Sequence, residues 1–154
     1  MVICKSPAEL EKMHRAGLVV WGALEKMRAM IKPGISTKDL DEFAEAYSEE
    51  HHARPAFKGY RGYPGSVCTS INQEVVHGIP SASRKLKEGD ILSMDFGVEL
   101  NGYFGDAALT VRRLLGFALE DEAGDKAIRL EILQKGRQCH PVELARDVEH
   151  FGQR

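Results

Sequence analysis

From Ile91 to Leu100 the chain alternates. Leu92, Met94, Phe96 and Val98 fall on one side, and Ile91, Ser93, Asp95 and Gly97 on the other. This is the period-two pattern of a strand with one buried face. Asn101-Gly102 follows, and this pair supplies the two positive-φ residues of a type I′ hairpin turn. The return strand then sets Leu100 against Tyr103, Val98 against Gly105 and Asp95 against Ala108, with Asp106 a diagonal neighbour of Asp95. A four-residue loop, Glu99 to Gly102, would shift the register and set Asp95 directly against Asp106. Either loop leaves both carboxylates on one face, with Cβ atoms roughly 5 to 7 Å apart.

Upstream the period changes to that of helices. Ser6-Pro7-Ala8-Glu9 reads as an N-cap, a proline in the first turn and a capping-box glutamate. Leu10, Met13, Gly17, Val20, Trp21, Leu24, Met27 and Ile31 then recur at three- and four-residue steps, which predicts one stripe packed on a sheet, with Trp21 and the methionines in the core. Lys32-Pro33-Gly34 ends this helix. Ser36 and Asp39 cap a second, whose Leu40, Phe43, Ala44 and Tyr47 face inward. His51-His52 at its end suits the helix C-terminus better than a metal. Gly59, Gly62, Pro64 and Gly65 mark a loop carrying aromatic residues, Ser66 to Ile71 alternates as a short strand, and Asn72 to Glu74 is a turn. His77 ends an apolar stretch beside Gly78, a residue that lets other groups approach closely.

Composition narrows the class. The chain has 154 residues, enough for one domain with a real core, and a formal net charge of −2, which argues against nucleic acid as the main partner. No apolar run is long enough for a membrane helix, and the N-terminus lacks a signal region. Three cysteines, Cys4, Cys68 and Cys139, form no disulfide framework and suit a reducing, cytoplasmic setting. Against that background the paired aspartates stand out. Two like charges so close need a cation or a shared proton between them. Oxygen clusters bind hard or borderline divalent ions when further ligands converge. His77 is a hydrogen-bonded structural residue unless the aspartates lie nearby, and Cys68 is a small buried strand residue unless it lines a pocket.

Several blocks together carry a resemblance: Lys5 to Met13, the GYxGYPxSVCTSIN run at 59–72, VVHGIP at 75–80, Gly89-Asp90, and MDFG with GDAA at 94–108. They resemble type I methionine aminopeptidases over about residues 3–111. The resemblance implies an α+β pita-bread fold, with two related halves around a dinuclear metal site, and removal of the initiator methionine from new polypeptides. It implies that Asp95 binds one metal through both oxygens and that Asp106 bridges two divalent ions (Co, Mn, Fe or Zn). His77 would contact substrate and the developing oxyanion, and Tyr60, Tyr63 and Cys68 would line the methionine pocket. Backbone carbonyls near Asn72 and Glu74 match a monovalent-cation site of some members. Arg61 departs from the pattern, since His or Asn is usual there.

The resemblance divides the chain into residues 1–111, an N-terminal half, and residues 112–154, a divergent and incomplete second half opening with helices. An internal echo supports this division. Pro33, Lys38, Asp39, Leu40, Asp41 and Phe43 align with Pro141, Arg146, Asp147, Val148, Glu149 and Phe151 at an offset of 108. On that repeat the counterparts of His77, Asp95 and Asp106 would fall past Arg154. The one His and two Glu with which the family completes its site have no matching position. His140, Glu143, Glu149 and His150 do not replace them, because the repeat puts Glu149 and His150 on a helix. Two functions follow as expectations: a metalloaminopeptidase truncated or degenerate in its second half, or a non-catalytic half-domain that holds a peptide terminus or self-associates through its bare sheet surface.

Overall fold

The computed structural model describes residues 4–112. Helix α1 (Pro7–Met30) and helix α2 (Thr37–Glu50) are followed by strands β1 (Arg54–Pro55), β2 (Val67–Ile71), β3 (Ile91–Leu100) and β4 (Tyr103–Arg112). Both helices begin at the predicted caps. Ser6 accepts from the Glu9 amide while Glu9 accepts from the Ser6 amide at 2.7 Å, and Ser36 and Asp39 repeat the exchange. Each box satisfies amides that the first helical turn would otherwise leave unpaired.

The sheet is antiparallel and centred on β3, with β4 along one edge and β1 and β2 along the other. Asn101 and Gly102 have φ of 53° and 80°, so the β3–β4 turn is the two-residue form. Its register pairs Leu100 with Tyr103, Val98 with Gly105 and Asp95 with Ala108. The four-residue alternative is thereby excluded. Leu92, Met94, Phe96 and Val98 are buried against α1 and α2, whose Val20, Leu24, Met27, Leu40 and Ala44 complete the core.

Helix α1 buries Val20, Leu24 and Met27 of the predicted stripe, with Ile31 just past its end, but not Leu10, Met13 or Trp21. Its buried residues are Ala16, Val19, Val20, Ala23, Leu24 and Met27, while Leu10, Met13 and Trp21 are exposed. The cause is the close approach of β4. A Cβ on Gly105 would lie 2.5 Å from the Ala16 carbonyl carbon and 2.6 Å from the Gly17 nitrogen. Ala16 is buried there, and Trp21 is exposed. His51 caps α2, its Nδ1 lying 2.9 Å from the Tyr47 carbonyl and its ring stacked on Tyr47, as its position at the helix end implies. The expected repeat of the opening helices over residues 124–151 lies outside the described residues.

Candidate metal centre

The face of the sheet turned away from the helices carries the candidate chemistry. Residues opposite one another in a ladder share a face, so Cys68, Asp95 and Ala108 form one row and Gly97 and Asp106 the next. Asp95 and Asp106 stand diagonal to each other, and their carboxyls are in hydrogen-bonding contact. Burial, then the charge and hydrogen bond of Asp95, push Asp106 up to about 7. Burial also raises Asp95, against the hydrogen bond from Asp106. Asp106 is an exposed residue overall, yet protein atoms crowd its carboxyl enough for burial to dominate. Two carboxyls in contact without a positive partner share a proton, and the same geometry offers convergent oxygens to a divalent cation.

Three groups surround the pair. Cys68 is buried, and its thiol is pushed up to about 11, chiefly by burial and further by both aspartate charges, against a lowering hydrogen bond with Tyr63. Such a thiol stays protonated and serves as an apolar wall. Burial raises Tyr63 well above the ordinary phenol range, so its hydroxyl is a donor, shared between the carbonyls of Val67 at 3.1 Å and Gly78 at 3.0 Å. The third group is Phe57, which the sequence reading passed over. A Cβ on Gly97 would lie 2.9 Å from the Phe57 ring, so the ring covers the strand between the two aspartates. A glycine interrupting an alternating strand is the signal that could have found it.

His77 is held by its neighbour. The Thr69 amide donates to the Gly78 carbonyl at 2.8 Å, and the Gly78 amide donates to Ser70 Oγ at 3.1 Å. A Cβ on Gly78 would lie 2.0 Å from the Thr69 oxygen, so only glycine fits. This clamp fixes His77 at φ 60°, exposed, alongside the strand that pairs with β3 at Asp95. Tyr60 is half exposed on a tight turn, Tyr60–Gly62, at the rim. The start of β2 depends on Asp41, a residue given no site role from the sequence. Its buried carboxylate accepts from the amides of Ser66 at 2.6 Å and Val67 at 3.2 Å and pairs with Lys38 at 2.8 Å.

The two aspartates suit a hard or borderline divalent ion by donor type and convergence. Among the described residues there is no group of three or more His, Cys, Asp or Glu side chains able to hold a metal. Asp95 and Asp106 by themselves fall short of such a group. Asn72 and Glu74 lie in a tight turn, where the Asn72 amide side chain donates to Asp90 and Glu74 accepts from the Ile71 amide and pairs with Arg84.

Comparison with known proteins agrees with this architecture. The sequence profile of metallopeptidase family M24 matches residues 11–140. Methionine aminopeptidase 1 of Bacillus subtilis is 46% identical over 151 residues, 97% of this chain and 60% of that protein. A methionine aminopeptidase of Clostridium acetobutylicum is 53% identical over 110 residues, 71% of this chain and 44% of that protein. The crystal structure of a methionine aminopeptidase from Thermotoga maritima superposes with a TM-score of 0.71 at 42% identity, over 74% of this chain and 46% of that one. The chain thus spans about half the length of the relatives it matches. No helix among the described residues is long and apolar enough to cross a membrane. With the profile running through helices, hairpin and beyond, the chain is an α+β, pita-bread member of metallopeptidase family M24.

Proposed function

We propose that this chain contributes the N-terminal half of a metal-dependent methionine aminopeptidase site, which releases the N-terminal methionine of peptides and new proteins in the cytoplasm. The observation that carries the reading is the contact of Asp95 with Asp106 on the open face of the sheet. Both would hold divalent ions, with Asp106 bridging. Such ions, when bound, supply the Lewis acidity that amide hydrolysis needs. The chain's own groups do the rest. Tyr63 and Cys68, with Tyr60 at the rim, form a wall suited to an unbranched thioether side chain, and Phe57 excludes water beside the aspartates. His77 donates a hydrogen bond to the substrate and to the oxygen on which negative charge grows. Release of methionine from a Met-Ala-Ser peptide with added Co2+ or Mn2+, abolished in Asp106→Asn, is the expected result. No release with any divalent ion would discard catalysis for this chain.

A second reading, a non-catalytic half-domain covering residues 1–111 that binds peptide or associates with itself, is favoured by two observations. Leu10, Leu18 and Trp21 are exposed along one side of α1, and β4 pairs only with β3 among the described residues. Open sheet edges and apolar stripes promote association. Sedimentation as a monomer at high concentration would remove this alternative. A dimer dissociated by Trp21→Glu would support it.

A further inference from the structure

Arg61 sits at the apex of the tight turn beside the site, and its backbone is strained. Its φ is 48° and ψ 30°, between Gly59 at φ 81° and Gly62 at φ 83°. A bulky residue in the left-handed region costs free energy and persists only where its surroundings impose it. Here they do. The Tyr60 amide donates to the Phe57 carbonyl and the Tyr63 amide to the Tyr60 carbonyl, both at 2.9 Å, and the Gly59 amide donates to the Tyr63 carbonyl at 2.8 Å. Tyr63 Oη then ties the turn to Gly78, one residue from His77, which is also left-handed. The turn is thus tied to the backbone beside a second left-handed residue.

The other basic groups nearby have carboxylate partners: Arg54 pairs with Glu99, Lys58 with Glu45 and Arg84 with Glu74. Arg61 has none among the described residues. Its guanidinium lies 5.5 Å from the centre of the exposed Tyr60 ring, a contact that orients the cation and leaves its N–H donors outward. A guanidinium held on an aromatic face, in a turn tied to the backbone beside His77, is suited to a carboxylate.

We propose that Arg61 is a specificity-determining residue that receives an acidic side chain carried at the third or fourth position of the bound peptide. This rests on the peptide-terminus reading above. The test is calorimetric titration of the whole chain, in metal-free buffer so that no peptide is cleaved, with Met-Ala-Glu-Glu-amide and Met-Ala-Gln-Gln-amide. The acidic peptide binds about three- to tenfold tighter, and the preference shrinks in about 0.5 M salt. Arg61→Gln abolishes the preference without changing affinity for the Gln peptide, and Arg61→Lys keeps part of it. Equal affinity of the two peptides for the wild-type chain, or a preference that survives Arg61→Gln, overturns the assignment and leaves the peptide-terminus reading intact. Failure of both peptides to bind removes that reading and the assignment with it.

Discussion

Asp106 is where the structure asks most of a single residue. It stands diagonal to Asp95 and is crowded by protein atoms, and burial with the Asp95 charge pushes its carboxyl up to about 7, so that near neutral pH its charge is disfavoured. Replacing one member by an amide removes that charge while keeping a hydrogen-bonding group of the same shape. Asp106→Asn is therefore expected to stabilise the metal-free chain at neutral pH. Solvent around the exposed residue limits the gain to about 1 kcal/mol, or about 4 °C in melting temperature. The same variant loses the further rise that Mn2+ gives the wild-type chain. Thermal melts with and without Mn2+ check both signs. A variant less stable than wild type without metal would mean that the carboxyls do not oppose one another.

At the scale of elements, the fold depends on ties between segments distant in sequence. Asp41 is the clearest, since one buried carboxylate on α2 receives two amides at the start of β2 and the ammonium of Lys38. Asp41→Ala leaves those amides buried without an acceptor and is expected to cost about 3 to 5 kcal/mol, measured by urea unfolding. A cost near zero would show that water replaces the carboxylate. Other carboxylates tie turns locally. Glu9 and Asp39 are lowered by the amide and hydroxyl bonds of their capping serines, Asp90 by Asn72 and the Lys87 amide, and Glu74 by the Ile71 amide and Arg84. A carboxylate lowered on folding adds stability above its unfolded pKa and loses it as pH falls through the folded value. Melting temperature should thus fall as the pH drops below about 4, and less steeply in Asp39→Asn combined with Asp90→Asn. Equal slopes in both proteins would contradict the assignment.

These elements also show what a sequence discloses. The hairpin was legible because its determinants are local, an alternating strand and an Asn-Gly turn, while the choice between its two registers came from the structure. The caps were legible for the same reason. The buried stripe of α1 was legible only in part, because the helix is apolar on more than one side, and the choice was made by Gly105, some ninety residues away, bringing β4 onto Ala16 and Gly17. Asp41 and Phe57 escaped for a related reason. Each acts across a long sequence separation, on Val67 and Gly97 respectively, and nothing adjacent to either residue announces its partner.

For the molecule as a whole, the described residues form one side of a candidate metal centre on a sheet backed by two helices, in a chain about half as long as the M24 relatives it matches. Function therefore turns on whether the aspartate pair acts as a cation site in this chain. The direct measurement is calorimetric titration of Mn2+ into the wild-type chain, Asp95→Ala and Asp106→Asn at neutral pH. Saturable binding by the wild-type chain that weakens at least about tenfold in each variant is the predicted result. An affinity that neither substitution changes would contradict the account.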